Sequence, residues 1–238
     1  VEGSRPLLLE VQALVASSSG AWGGEGGGGG GGNPPSTAPP LRSPGGVRRD
    51  RLALIIAVLA KHARLRLGRA DVHTNVVGGL DLREPSADLA VAVALASAAL
   101  DSPARRDAAS FGEVGLGGEL RRVPALAPRL AEAAKLGFKL AVIPAAQDLD
   151  GIGGVVGGGR GGAGGGSGKE LLYKGGMKLV RAATLSEALK VLLPEAAGRR
   201  RAGGSRRKSA AAVMEEEEEE AREFGGGGEE SEGEAAGW

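Results

Sequence analysis

The chain has 238 residues, of which 44 are Gly and none is Cys, and its aromatic residues are three Phe, two Trp and one Tyr. The absence of Cys excludes disulfides and thiolate zinc sites. The scarcity of aromatic rings argues against base-stacking platforms for nucleic acids. The net charge of +1 hides an asymmetry, because residues 209–238 contain eleven acidic residues and one basic residue. The remaining, basic body suits a polyanionic partner.

Three low-complexity stretches interrupt the chain. Residues 17–46 and 151–168 are rich in Gly, and the first also in Pro and Ser, whereas residues 196–238 are first Arg-rich and then Glu-rich. Such composition cannot offset the entropy of ordering a fixed backbone, so we expect two disordered insertions and a disordered acidic tail. Charges interrupt every apolar stretch before about 18 residues, so we expect a soluble chain with no membrane partner.

Between these stretches, strand-like and helix-like patterns alternate, which indicates a two-layer α/β or α+β domain. In the last helix, Thr184 is expected at the N-cap and Glu187 completes a capping box. The predicted strands are 6–15, 71–77, 109–116, 140–144 and 177–181, and the predicted helices are 47–67, 86–100, 126–136 and 184–193.

The glycine-rich segment 151–168 and the two residues after it are not expected to form a nucleotide site. GSGKE at 166–170 resembles the end of a phosphate loop, but Ala163 occupies the first Gly position and Glu170 the Ser/Thr position. Gly157, Gly159 and Gly162 match a GxGxxG pattern that any glycine run satisfies. We therefore expect no nucleotide cofactor in this chain.

Few side chains are placed for chemistry. His62 and His73 fall on different predicted elements without metal-ligand spacing, so no metal site is expected. Ser86 is the one candidate nucleophile, at the start of a buried helix whose amide dipoles would stabilise an anion. The structural alternative is that Ser86 and Asp88 only cap that helix.

Several stretches, in order and spacing, resemble the C-terminal Lon-protease-like domain of the RadA (Sms) DNA repair and recombination family. They are VEGSRPLLLEVQALV, RLALIIAVLAKHARLRLG, NVVGGLDLREPSADLAVAVALAS, FGEVGLGGELRRVP, RLAEAAKLGFKLAVIP and TLSEAL. The resemblance implies an α+β, two-layer fold like the Lon proteolytic domain. Its first strand would lie in residues 1–16, its main body in 47–150 and its end in 169–195.

The resemblance also bears on Ser86. The nucleophilic Ser of Lon proteases sits in a Pro-Ser-Ala context like Pro85, Ser86 and Ala87 here. The Lys that activates it would fall on Ala127, which cannot act as a base. Ser86 is then a relic in a pseudo-protease. The alternative is a Lon-like serine endopeptidase in which Ser86 works with an unrecognised base.

For function, the resemblance implies a DNA repair and recombination scaffold that assembles into a hexameric ring and contacts single-stranded or branched DNA. A recombinase is a further partner. In the family, the ATPase motor and the zinc segment precede this domain, so ATP and zinc are expected there and no cofactor here. The location would be the cytoplasm in a bacterium, or the chloroplast or mitochondrion for a nuclear-encoded relative.

Basic residues gather around the first predicted helix and after one strand. A DNA-facing surface is one interpretation of them; a solvated helix face is the alternative, and an oligomerisation module without DNA contact is a third reading of the chain. The candidate DNA-binding residues are Arg48, Arg49, Arg51, Lys61, Arg64, Arg66, Arg121 and Arg122.

Overall fold

A computed structural model describes residues 6–17, 39–156 and 171–198 of the chain. Most of the two predicted insertions and nearly all of the predicted acidic tail lie outside the described residues. The described residues up to Ala196 form one structural unit. The fold described below is that of this unit.

The described residues form nine strands, four α-helices and two short 3₁₀ helices, and residues 194–198 are also helical. The strands are β1 (Val11–Ser17), β2 (Arg42–Pro44), β3 (Ala70–Val76), β4 (Ala108–Ser110), β5 (Glu113–Val114), β6 (Leu120–Arg121), β7 (Leu140–Pro144), β8 (Leu171–Tyr173) and β9 (Met177–Ala182). The helices are α1 (Arg49–His62), α2 (Asp88–Leu100), α3 (Leu126–Lys135) and α4 (Leu185–Leu192). None of these helices has the length and apolarity needed to cross a bilayer.

The first sheet has the order β1-β3-β2, with β1 antiparallel and β2 parallel to β3. Strand β2 lies in the segment 17–46, where the sequence predicts only a loop. A three-residue strand of Arg, Ser and Pro carries no alternation that could reveal it. Contacts with residues distant in the sequence hold β2 in place, since the Arg42 guanidinium donates to the carbonyl oxygens of Ala70 and Leu67.

The second sheet has the order β4-β7-β9-β8, in which β4, β7 and β9 run parallel and β8 runs antiparallel. All five residues of β7 are buried, as expected of a central parallel strand. The predicted single strand 109–116 is instead divided between β4 and the β5-β6 hairpin. Gly112 separates them, because its backbone bonds to Ser86 and Leu89 rather than to a sheet.

The core consists of two apolar clusters. The larger joins α1, α2 and α4 to the first sheet and to one face of the second, which it meets through Leu140 and Val142 of β7. The smaller packs α3 on the opposite face of the second sheet, which it meets through Ala141 and Ile143. Helix α2 is apolar nearly all round and is buried accordingly, as the sequence predicts. Each fully buried Leu, such as Leu59 or Leu130, contributes about 1.5–3 kcal/mol relative to an exposed side chain. The mixed arrangement of strands and helices agrees with the predicted α+β class.

Candidate functional site

The Ser86 turn lies directly before α2, at the edge of the second sheet. Pro85 opens a 3₁₀ turn over Pro85–Ala87, where its fixed φ is favourable, and α2 continues from Asp88. Ser86 is 4% exposed, and its carbonyl oxygen accepts a hydrogen bond from the amide of Gly112. The Ser86 hydroxyl donates to Oε2 of Glu84 over 3.0 Å. The candidate nucleophile is therefore buried and already hydrogen-bonded.

The Glu84 carboxylate is itself bound by Arg129 from α3. The Arg129 guanidinium contacts the same Oε2 that accepts from Ser86, and its side chain is only 13% exposed. The pKa of Glu84 is lowered: burial opposes the shift, while hydrogen bonds from Arg129 and Ser86 are among the interactions that produce it. A carboxylate whose pKa is lowered holds a proton weakly, so Glu84 is a poor base for Ser86.

Helix α3 faces the Ser86 turn, but it does not offer a Lys there. Ala127, at the position expected for the activating Lys, lies in the first turn of α3, and Arg129 follows in the same helix. Lys135 is 71% exposed and lies 3.8 Å from Glu132, at the other end of α3. Sequence reasoning missed both Glu84 and Arg129. Their separation of 45 residues leaves no local pattern that could have revealed the pair.

Asp88 does not cap α2, which corrects the structural alternative stated for this residue. No side chain caps the start of α2. The Asp88 carboxylate is instead buried against α1, where Nε of Arg51 donates to Oδ1 over 2.8 Å and Nη2 contacts Oδ2. The Val114 amide donates to Oδ2 over 3.1 Å. Burial raises the pKa of Asp88, and the hydrogen bonds from Arg51 and Val114 offset only part of that rise.

Arg51 is therefore occupied inside the fold. Its side chain is 25% exposed, and besides Asp88 it lies 3.9 Å from Glu113 and donates to the Val114 carbonyl. The helix pattern placed Arg51 with the exposed basic residues, because a sequence does not show which face meets the β5-β6 hairpin. These contacts hold Nε and Nη2 of the guanidinium within the fold.

The other basic residues predicted on α1 separate into two groups at its ends. Arg48 and Arg49 are exposed at the start of α1, and Lys61, Arg64 and Arg66 are exposed at or beyond its end. A helix of 14 residues is about 21 Å long, so the groups do not form one patch. A surface cleft of about 320 Å³ adjoins the first group and is lined by Gly46, Val47, Arg48, Asp81, Leu82 and Arg83.

Arg121 and Arg122 lie on and after β6 and have different partners. Arg121 is paired with Glu119, 2.7 Å away. Nε of Arg122 donates over 2.6 Å to the carbonyl oxygen of Ala146. Arg181 on β9, which sequence reasoning did not single out, donates to the carbonyl oxygens of the same loop, at Ala145 and Gln147.

The two His residues lie apart from these features. His62 is half-buried at the end of α1, and its Nε2 lies 3.1 Å from the carbonyl oxygen of Leu116. His73 lies on β3, opposite Leu14 of β1. Within residues 6–17, 39–156 and 171–198, no three His, Asp or Glu side chains are grouped in a way that could hold a metal ion.

Comparison with curated proteins relates this chain to bacterial DNA repair proteins. The chain is 45% identical over 148 residues to the DNA repair protein RadA of Mycobacterium tuberculosis (strain CDC 1551 / Oshkosh), a match that covers 62% of this chain and 27% of the relative. RadA of Escherichia coli (strain K12) is 44% identical over 145 residues, covering 61% of this chain and 28% of the relative. The chain is homologous to RadA.

A third relative agrees with the first two, and a family model matches part of the same region. RadA of Bacillus subtilis (strain 168) is 41% identical over 151 residues, covering 63% of this chain and 29% of the relative. The chain thus spans little more than a quarter of the length of the RadA proteins that it matches. Residues 79–147 match the family model described as subunit ChlI of Mg-chelatase, and this range contains Ser86, Glu84 and Arg129.

Proposed function

We propose that this chain acts in RadA-type DNA repair and recombination, as a non-proteolytic, Lon-like scaffold domain that contacts DNA. The observation that carries the proposal is the 41–45% identity to RadA over about 60% of the chain. The α+β fold, in which α3 faces a Pro-Ser-Ala turn, is consistent with the Lon-like architecture that the sequence resemblance implies.

Three features of the Ser86 turn support a non-proteolytic role. Ser86 is buried, its hydroxyl is held by Glu84, and Ala127 stands where the resemblance places the activating Lys. An attacking hydroxyl needs a neighbouring base that can take its proton. Arg129 cannot do so, since a guanidinium stays protonated throughout the physiological range. We infer that the turn now serves the structure of the domain.

The exposed basic residues support contact with the DNA backbone. Arg48 and Arg49 stand at the start of α1, whose first amides have no side-chain cap, and Arg83 lines the adjoining cleft. Arg48 is paired with Asp50, whereas no ion pair among the described residues holds Arg49 or Arg83. Contacts between such groups and DNA phosphates do not depend on the base sequence, and the affinity that they provide falls steeply as the salt concentration rises. Lys61, Arg64 and Arg66 would contact a second part of the same or another strand, since they lie at the far end of α1.

The remaining expectations from the family belong to this proposal as well. The domain would assemble into a ring, as a hexamer, and would act with a recombinase. ATP hydrolysis and zinc binding would belong to other domains of the RadA proteins, so that this chain itself would need no cofactor. The insertions and the acidic tail would lie outside the ordered Lon-like body, and the compartment would follow that of the DNA being repaired.

The test measures binding of the full chain to fluorescently labelled single-stranded and double-stranded DNA, by fluorescence anisotropy at 50 and 200 mM salt. Light scattering gives the mass of the full chain in solution. We expect binding that weakens steeply with salt and is reduced in Arg49→Ala/Arg83→Ala. The matched control is Arg105→Ala/Lys135→Ala, which removes two exposed cations that are paired with carboxylates. An oligomer that binds neither form of DNA would contradict the proposal and leave an oligomerisation module.

A further inference from the structure

The exposed arginines of this domain differ in what holds them. Most of those with a defined partner face a carboxylate, which cancels their charge locally. The pairs are Arg48 with Asp50, Arg105 with Asp107, and Arg121 with Glu119. An exposed pair of this kind has little net charge to offer a further anion, and a phosphate would have to compete with the carboxylate already there.

Arg122 and Arg181 are exposed and are held by neutral groups instead. Arg122 donates through Nε to the Ala146 carbonyl, which leaves its two terminal nitrogens available. Arg181 donates through Nη2 to the carbonyls of Ala145 and Gln147. Neither arginine forms an ion pair with any described carboxylate. Both guanidinium groups are therefore held by backbone carbonyls, and neither charge is paired with a described carboxylate.

The loop that receives these bonds is itself anchored. The buried Gln147 side chain accepts from the Val123 amide over 2.9 Å and donates to the Val123 carbonyl over 3.3 Å. The Ala145 amide donates over 2.7 Å to the carbonyl of Ala182, next to Arg181. The backbones that carry both arginines are thus tied to one short loop. Arginines ordered in advance lose less side-chain entropy when they bind an anion.

The two guanidinium groups are tied to the same short loop, because they bind the carbonyls of three consecutive residues, Ala145, Ala146 and Gln147. An anion that reaches this loop would meet two positive charges that no described carboxylate pairs with. The loop follows the carboxyl end of β7, beside that of β9, an edge at which ligands commonly bind in parallel sheets.

We propose that Arg122 and Arg181 form a two-arginine site for the phosphodiester backbone of DNA, at the carboxyl ends of β7 and β9. The inference rests on the proposed function, and it adds a location for the contact that includes Arg181 and lies away from α1. The site recognises the charge of the DNA backbone and is independent of the base sequence, because contacts between guanidinium groups and phosphates do not distinguish one base from another. A forked donor matches the phosphate geometry better than an ammonium group does.

The experiment measures how the affinity of the full chain for duplex DNA depends on salt, in Arg122→Ala/Arg181→Ala. Each lost phosphate contact lowers the slope of log affinity against log salt by about 0.9. The double variant should therefore lose about 1.8 from the slope, which makes its loss of affinity about 12-fold larger at 50 mM than at 200 mM salt. Arg105→Ala/Lys135→Ala, with the same change in net charge, should keep the slope of the unchanged chain.

A second variant separates the charge from the structural role of the two side chains. Arg122→Lys/Arg181→Lys keeps both charges but loses the fork that joins a carbonyl and a phosphate at once. It should bind more weakly than the unchanged chain and keep its slope. A Lys variant that loses the slope as the Ala variant does would overturn the inference, as would an Ala variant that keeps it. If the unchanged chain binds no DNA at 50 mM salt, the proposed function and this inference fail together.

Discussion

The hydroxyl of Ser86 donates a 3.0 Å hydrogen bond to Oε2 of Glu84, the same oxygen that the Arg129 guanidinium contacts. The candidate nucleophile Ser86 thus has a carboxylate neighbour, but that carboxylate is bound to the permanently charged Arg129. Deprotonating Ser86 would place a second negative charge beside Glu84, and the proton would have to remain on a carboxyl whose pKa is lowered. The geometry therefore opposes formation of the alkoxide.

A fluorophosphonate probe tests this interpretation of Ser86. We expect no labelling of the full chain and no cleavage of an unfolded protein substrate. Ser86 is only 4% exposed, and no effective base lies beside its hydroxyl. Labelling is read by intact-protein mass spectrometry, with a serine hydrolase as the positive control. Labelling of the unchanged chain that disappears in Ser86→Ala would instead support the serine endopeptidase.

Replacing Arg51 should destabilise the domain strongly. Arg51→Met removes the cation from Asp88, whose side chain is 4% exposed, and leaves a buried carboxylate. The expected loss in the free energy of unfolding is about 3 kcal/mol, at the lower end for buried pairs because the Arg51 side chain is 25% exposed. Urea denaturation followed by circular dichroism measures it.

The matched control for Arg51 is an exposed pair of the same residue types. Arg105→Ala breaks a 2.7 Å pair with Asp107 in which both side chains are 41% exposed, so the expected loss is about 0.5 kcal/mol or less. Arg51→Met/Asp88→Asn should recover most of the stability lost in Arg51→Met, since no buried charge remains. Equal losses in Arg51→Met and Arg105→Ala would show that the buried pair has no special role.

The carboxyl of Asp88 should titrate above its ordinary pKa of 3.8. Burial is the largest cause, and the hydrogen bonds from Arg51 and Val114 oppose it. Because the folded state holds this proton more tightly than the unfolded chain, Asp88 contributes stability that is fully present below the unfolded pKa. That contribution is lost as pH rises through the folded pKa.

Carbon-13 NMR of the Asp carboxyl groups measures the titration of Asp88. The resonance is assigned by its disappearance in Asp88→Asn, and Arg51→Met should raise its pKa further because the opposing hydrogen bonds are removed. Asp107 provides the internal comparison, since the hydrogen bond from Arg105 lowers its pKa. A midpoint for Asp88 below that for Asp107 would contradict the expected order.

The cap of α4 should contribute measurably to stability. Thr184 Oγ1 accepts from the Glu187 amide over 3.3 Å, and the Glu187 carboxylate accepts from the Ala183 amide over 2.8 Å. Thr184→Ala should therefore lower the free energy of unfolding by about 1 kcal/mol. Thr184→Ser keeps the acceptor and serves as the control in the same urea titration. A Thr184→Ala variant as stable as the unchanged chain would show that the cap contributes nothing.

The sequence predicts the features of this fold that depend on local patterns. Thr184 is the N-cap of α4 as expected, because the cap and its partner lie three residues apart. The burial of α2 also agrees with its nearly continuous apolar sequence. The order and type of the four helices follow from periodicity for the same reason, although their ends shift by several residues.

Features that depend on distant partners could not be predicted in this way. Strand β2 exists because it pairs with β3, and nothing in its own three residues distinguishes it from the loop before it. The helical pattern places Arg51 on the surface, whereas in the structure it binds the buried Asp88. The pattern could not show this, because Asp88 lies 37 residues away in the sequence. The same limit explains why Glu84, Arg129 and Arg181 were missed. In each case a tertiary contact decides the role of the side chain.

Both glycine-rich segments join strands at the margins of their sheets. The first follows β1 and includes β2, the two outer strands beside β3, and the second leads into β8, the outermost named strand of its sheet. Neither interrupts β3, β7 or α2. Doubling the length of such a connection costs only about 0.6 kcal/mol in closure entropy. Glycine codons could therefore be gained or lost in these repeats over generations while the central strands keep their register, so that length polymorphism here would be nearly neutral for folding.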